Sequence, residues 1–199
     1  MKSERCWLIP YRIAERLGSK RFGAFAALRL FEIRNLMTQN KMHRFVEEMS
    51  RCLHEAIRRI AEEYSGDASR IWSDKPSSAE LVWRFLEFRG VGPKIATMAT
   101  NILARQFKVP LADYYSVDIS VDSHVRRVFT RLGLVRPGAT LEQVVYRARA
   151  LHPPFPGLLD NPVWEIGRKW CRPRVPVCSE CYLSPHCPTA QEALGAGSD

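Results

Sequence analysis

Four cysteines near the C-terminus constrain this chain most. Cys171, Cys178, Cys181 and Cys187 fall within seventeen residues at the spacing C-x6-C-x2-C-x5-C. Soft thiolates held this close, in a chain with no export signal, read as ligands of a metal or an iron-sulfur centre rather than as a disulfide frame. Spacing alone admits a four-cysteine zinc site as well as an iron-sulfur cluster. The two remaining cysteines, Cys6 and Cys52, read as ordinary small core or surface residues, and no disulfide is expected.

The chain has 199 residues, enough for one large or two small domains that each bury a core, and its 46% hydrophobic content suits a folded protein. Lys and Arg number 30 against 21 Asp and Glu, a formal charge of +9 that draws polyanions and makes nucleic acid the leading partner. Nowhere do about 18 uncharged apolar residues run together, and the first residues carry no secretory pattern. An intracellular, cytoplasmic, nucleoid-associated protein is expected, with no membrane partner.

Apolar residues from Phe45 through Met49, Leu53, Ile57 and Ile60 to Tyr64 recur at three-and-four spacing and predict one long amphipathic helix. Further helices are expected over Phe22 to Met37, Ser77 to Glu87, Pro93 to Gln106, Ser123 to Leu132, Leu141 to Leu151 and Val163 to Trp170. Tyr115 to Val121 is the best strand candidate, too short to support a sheet, so the fold class is all-α. The segment from Thr189 to Asp199 is small and polar and is expected to be a disordered tail.

Two segments carry chemistry upstream of the cysteines. In Arg89-Gly90-Val91-Gly92-Pro93-Lys94 the glycines open backbone conformations closed to other residues, and Pro93 suits the first position of a helix. Such a corner presents backbone N–H groups at a helix N-terminus and can hold a phosphate without reading sequence. Lys94 falls in the first helical turn, where the helix dipole opposes an ammonium charge, and an uncharged amine is a nucleophile. Asp122, in Val121-Asp122-Ser123-His124, precedes an apolar-periodic stretch and reads as a helix N-cap, a role compatible with facing a developing positive charge on a sugar. His124 taken alone reads as a satisfied structural histidine.

Together, Gly90-Val91-Gly92-Pro93-Lys94, Val121-Asp122-Ser123-His124-Val125-Arg126-Arg127 and Trp164-Glu165-Ile166-Gly167-Arg168 leading into the cysteines resemble the endonuclease III branch of the helix-hairpin-helix DNA glycosylases. The resemblance spans Asn35 to Cys187. It implies a two-lobed helical fold, with a barrel lobe at 22–113 and a cluster lobe made of 1–21 and 114–188. It implies a [4Fe-4S] cluster on Cys171, Cys178, Cys181 and Cys187, and a monomer acting on double-stranded DNA. The carry-over makes Lys94 the nucleophile, assisted by Asp122, in a bifunctional glycosylase and AP lyase of base excision repair acting on oxidised pyrimidines and abasic sites. Gln39, in Met37-Thr38-Gln39-Asn40, is the candidate wedge for the gap left by a flipped base. The expected DNA contacts are Gln39, Asn40, Arg89, Gly90, Val91, Gly92, His124 and Arg126.

Two segments depart from the family pattern. The stretch from Gln39 to Lys94 is shorter than usual and lacks the second glycine-centred hairpin; Ser65-Gly66-Asp67 and Asp74-Lys75-Pro76 stand there instead. The stretch from Lys94 to Asp122 is longer, with Lys108 to Tyr115 as the extra material, in which Tyr114 and Tyr115 read as a buried aromatic pair or as a base-stacking surface. Two other functions stay open: a non-catalytic DNA-binding protein of the same fold, and a monofunctional glycosylase for mismatched or alkylated bases.

Overall fold

The computed structural model describes residues 6–195. Among them there is no strand; the backbone is helical with loops and short 3-10 turns, as the periodicity requires. Tyr115 to Val121, the strand candidate, is a turn at Tyr115 and Ser116 followed by irregular loop.

One compact unit comprises residues up to Asp74 together with Leu86–Val91. It holds helices α1 (Ile9–Leu17), α2 (Phe22–Ala26), α3 (Leu30–Gln39) and α4 (Val46–Glu63). Ile9, Ile13, Ile33, Met37, Met42 and Ile57 form its core, with Phe22, Leu36, Met49 and Leu53 packed around them. Helix α1 was not expected from sequence. The single helix predicted over Phe22 to Met37 is two, parted at Ala27–Arg29, because the Glu32 carboxylate reaches back 2.8 Å to accept the Arg29 N–H and starts α3 afresh. Helix α4 matches the amphipathic stretch, and Arg58 and Arg59 pair with Glu62 and Glu63 one turn on.

The second unit comprises Lys75–Phe85 and residues from Gly92 onward. It holds α5 (Ser78–Leu86, but for its last residue), α6 (Pro93–Arg105), α7 (Ser123–Arg131), α8 (Leu141–Leu151), α9 (Asp160–Lys169) and α10 (Pro188–Gly195). Its core is Ile119, Val125, Val128, Phe129, Val144, Ala148, Val163 and Ile166. Helices α7 and α9 pack so closely that a Cβ built on Gly167 lies 2.7 Å from His124 Cβ and 3.2 Å from His124 Cα. Only a glycine permits that approach.

The units divide the chain elsewhere than at residues 21 and 113, and the hairpin itself carries the chain from one to the other at Val91–Gly92. The expected tail is not wholly irregular. Residues 188–195 form α10, anchored by Ala190, which is buried, and by the Thr189 hydroxyl, which donates to the Arg131 carbonyl at 3.0 Å; residues 196–199 lie outside the described part.

The two departures from the family pattern meet within the second unit. The Ala112 N–H donates to the Pro76 carbonyl at 3.0 Å, the Ser78 hydroxyl donates to the Asp113 carboxylate, and the Ser116 N–H donates to Ser78 Oγ at 2.9 Å. The aromatic pair splits. Tyr114 stacks on Phe155 with centroids 5.0 Å apart, while Tyr115 is exposed beside the Arg149 guanidinium, which Asp118 grips through both carboxylate oxygens at 2.7 and 2.9 Å.

Candidate active site and cysteine centre

The hairpin owes its shape to one of its two glycines. Gly90 sits at φ +78°, and a Cβ there would meet Cys52 Sγ of α4 at 2.7 Å. Gly92 is extended (φ −99°, ψ 177°) and serves as N-cap of α6; a Cβ there would touch nothing within 4 Å. The expectation that both glycines are conformationally required is therefore corrected: Gly90 alone takes a backbone conformation that favours glycine. The Val91 N–H closes a turn on the Phe88 carbonyl at 3.0 Å.

Arg89 is exposed but engaged. Its guanidinium binds Glu48 at 3.1 Å and Glu55 at 3.3 Å, both on α4. These contacts hold the Glu48 carboxyl below its ordinary range, chiefly through the hydrogen bond from Arg89 and then its charge. Gln39 is exposed at the last position of α3, and Asn40 closes that helix by donating its side-chain N–H to the Leu36 carbonyl at 2.8 Å.

Pro93 and Lys94 are the first two residues of α6, and the Lys94 side chain is exposed. One turn further on, the Thr97 hydroxyl donates to the Pro93 carbonyl at 2.8 Å, approaches the Lys94 carbonyl at 3.2 Å, and lies 3.5 Å from Ser120 Oγ. Ser120 is two residues ahead of Asp122. Side-chain contact thus ties the first turn of α6 to the segment that delivers the aspartate.

Asp122 caps α7: its Oδ1 accepts the N–H groups of His124 at 2.8 Å and Val125 at 2.9 Å. Its other oxygen takes no hydrogen bond from the described residues, so the cap leaves one carboxylate oxygen for another partner. Beside it, Val121, Asp122, Ser123, Arg126, Arg127 and Arg131 help line an open pocket of about 580 Å³. His124 is wedged against Gly167, with its Nδ1 3.0 Å from Arg127 Nη2, which supports its reading as a structural residue. Arg126 is exposed.

All four clustered cysteines line one small cavity, with Val128, Leu132, Ile166, Trp170 and Leu183 as apolar wall. Burial, then the neighbouring Cys187, Cys171 and Cys181, push the Cys178 thiol up. All six cysteines are free thiols. Among the described residues no three His, Cys, Asp or Glu side chains converge tightly enough to grip a single metal ion. Four thiols lining one cavity are a soft donor set of the kind that suits an inorganic sulfur-rich core or a soft metal.

The cysteine loop is clamped to α7 by arginines that sequence reading passed over. Arg131 donates to the carbonyls of Arg172 at 2.7 Å and Pro173 at 2.9 Å and reaches Cys171 Sγ at 3.4 Å, while Arg127 donates to the carbonyls of Cys171 at 2.7 Å and Gly167 at 2.8 Å. A further residue was missed at the start of α9. Asp160 accepts the Ser120 N–H at 3.0 Å, and its pKa is pushed up to about 6 by burial, the Asp122 charge adding to the shift against opposing hydrogen bonds from Ser120 and Asn101. An aspartate two residues before a proline at a helix start was its only signal, and that signal also fits a plain cap.

A glycine corner feeding α6, an aspartate-capped helix behind it and a C-terminal four-cysteine loop define the helix-hairpin-helix class. The comparisons agree with that class. Endonuclease III of Thermotoga maritima is 30% identical over 156 residues, covering 78% of this chain and 62% of that protein. Endonuclease III of Synechocystis is 28% identical over 155 residues, covering 74% and 58%. This chain spans about three fifths of the length of these curated relatives. In fold it is similar to a trapped endonuclease III–DNA covalent intermediate (TM-score 0.67, 21% identity, 97% of this chain and 79% of that one). It is also similar to a thermostable thymine-DNA glycosylase (TM-score 0.61, 20% identity, 95% and 77%). No protein-family model matches the chain. Sequence and fold together place it in the endonuclease III-like helix-hairpin-helix glycosylase family.

Proposed function

We propose that this protein is a DNA glycosylase of base excision repair with AP lyase activity, acting on oxidised pyrimidines and abasic sites in duplex DNA. The observation that carries the reading is the link between Lys94 and Asp122: both belong to the second unit, and the Thr97 hydroxyl bridges the Lys94 backbone to Ser120, two residues before the aspartate.

On this reading the corner at Gly90, Val91 and Gly92 receives a backbone phosphate, its N–H groups and the dipole of α6 supplying the attraction. Gln39 fills the space of an extruded base, and Asn40 sets its orientation by closing α3. The exposed Arg126 gives further phosphate attraction. Arg89, already held by Glu48 and Glu55, shapes the corner and reaches DNA only by sharing those partners. The unprotonated Lys94 amine attacks C1′ of the flipped nucleotide while Asp122, through its uncapped oxygen, stabilises the positive charge that develops on the sugar. The base leaves, a Schiff base forms on Lys94, and loss of a C2′ proton expels the 3′ phosphate by β-elimination.

The four cysteines would hold a [4Fe-4S] cluster, a reading supported by their shared cavity and by their soft thiolate donors. When bound, the cluster cross-links the loop; the chain's own contribution is the clamp of Arg127 and Arg131 that joins this loop to the helix capped by Asp122.

Borohydride trapping on duplexes bearing an abasic site or an oxidised pyrimidine tests the chemistry. A covalent adduct from wild type and none from Lys94→Ala is expected. An equal yield from Lys94→Ala removes the nucleophile assignment, and base release without strand cleavage by wild type reduces the activity to a monofunctional glycosylase.

A further inference from the structure

The first arm of the hairpin lies along a single stripe of α4. Glu48, Cys52, Glu55 and Arg59 follow one another at four, three and four residues, so their side chains share one face of that helix. Each meets a residue between Glu87 and Gly90. Arg59 donates to the Glu87 carbonyl and to the Glu87 carboxylate, both at 2.8 Å, and its guanidinium stands 5.3 Å from the centre of the Phe88 ring. Cys52 packs under Gly90, close enough that a Cβ there would come within 2.7 Å of its sulfur. Arg89 takes two carboxylates, donating through Nε to Glu48 at 3.1 Å and through Nη1 to Glu55 at 3.3 Å. All of these residues belong to the first unit.

Stability does not account for the two carboxylates on Arg89. The side chains of Arg89, Glu48 and Glu55 are 42%, 54% and 49% exposed, and ion pairs this open to water contribute little to folding. The arm is in any case seated by Arg59 and by the contact of Cys52 with Gly90. What the carboxylates change is charge. One arginine held between two carboxylates is a group of net charge −1, placed beside Gly90 and Val91 in a chain whose formal charge is +9. The local balance opposes the bulk one at the corner read as the phosphate site.

A phosphate drawn by a free cation is drawn from any direction, whereas one held by backbone N–H groups has to sit at hydrogen-bond distance and in line with them. Cancelling the charge of Arg89 leaves the corner to work in the second way. We propose that Glu48 and Glu55 are positioning residues that withhold Arg89 from DNA, so that the corner takes a phosphate by its N–H groups and does not grip undamaged duplex by charge. This rests on the reading of the corner as a phosphate site. Both glutamates act through Arg89 and touch no DNA themselves. Without them Arg89 becomes a free phosphate-binding cation of the kind that supplies non-specific affinity.

The decisive measurement is the salt dependence of binding to an undamaged duplex, because its slope counts phosphate contacts. Glu48→Gln combined with Glu55→Gln removes both charges and keeps side chains of the same size, and Arg59 still seats the arm, so the double variant should unfold together with wild type. Its affinity for undamaged duplex at low salt should rise about threefold or more, and the slope of log affinity against log salt should steepen by about 0.9, the value of one added phosphate contact. The same pair of changes in an Arg89→Gln background should leave the slope where Arg89→Gln alone puts it. An unmoved slope in the presence of Arg89 overturns the proposal. Equal steepening in both backgrounds assigns the effect to bulk charge and overturns it too, as does a double variant that unfolds early and binds less tightly, which makes the two glutamates structural only.

Borohydride trapping on an abasic duplex, run on the same proteins, separates this proposal from the glycosylase reading. Normal trapping by wild type with an unmoved slope in the double variant sinks the withholding of Arg89 and leaves the glycosylase reading intact. A steepened slope that depends on Arg89, with no trapping by wild type, sinks the glycosylase reading and leaves the role of Glu48 and Glu55 established. A wild type and a double variant that both fail to bind duplex at low salt remove the phosphate corner and this proposal with it.

Discussion

Replacing Gly90 with alanine perturbs the hairpin in two separable ways. The backbone at φ +78° is one that an L side chain resists, at a cost of about 1–2 kcal/mol. The added methyl would also lie 2.7 Å from Cys52 Sγ, well inside contact distance, and relieving such overpacking costs about 1–3 kcal/mol. The hairpin cannot lift away freely, because Arg89 beside it is held by Glu48 and Glu55 on the same helix as Cys52. Gly90→Ala should therefore destabilise by about 2–5 kcal/mol in denaturant unfolding. The contact part is isolated by a double-mutant cycle with Cys52→Ala, which removes the sulfur but not the backbone strain. The reasoning predicts that Gly90→Ala costs about 1 kcal/mol or more less in the Cys52→Ala background than in wild type. Strict additivity would show that Cys52 turns aside without cost and that the glycine is needed for its dihedral angle alone.

Three further outcomes follow from the second unit. Gly167→Ala should cost about 3 kcal/mol or more in thermal or chemical unfolding, because the methyl meets His124 backbone as well as its Cβ, and neither helix can yield. Asp122→Ala should lose about 1 kcal/mol of cap stability in chemical unfolding, while Asp122→Asn retains most of it yet abolishes trapping, which separates the cap from the charge. For Asp160, the folded value of about 6 lies above the ordinary 3.8, so its stabilising proton is fully held below pH 3.8 and lost as pH rises through 6. Asp160→Asn should accordingly gain on wild type by about 1.5 kcal/mol at pH 5 and about 3 kcal/mol at pH 8 in urea unfolding; a gain that shrinks with rising pH refutes the sign.

What could be read from sequence was whatever is encoded over a few neighbouring residues. The 3.6-residue period from Phe45 to Tyr64 fixes α4, and the order glycine, proline, lysine marks the start of α6. The cap at Asp122 is legible for the same reason. The break at Ala27–Arg29 is hidden because Leu28 keeps the apolar rhythm and the stop comes from Glu32 reaching back along the chain. Arg89 looked free because its acidic partners lie 34 and 41 residues earlier. Arg131 and Asp160 were missed because each acts across about forty residues, one on the carbonyls of the cysteine loop and the other on Ser120. Charge and residue type announce such groups; only the fold says what they touch.

The tie between Pro76–Ser78 and Ala112–Ser116 makes the shortened and the lengthened segments a single architectural trait. A chimera given a relative's longer wall without its shorter connection would strand the Ser78 hydroxyl and the Asp113 carboxylate, and the reverse graft would leave the Pro76 carbonyl without its donor. Loop exchange aimed at a new lesion range therefore has to move both pieces as one cassette.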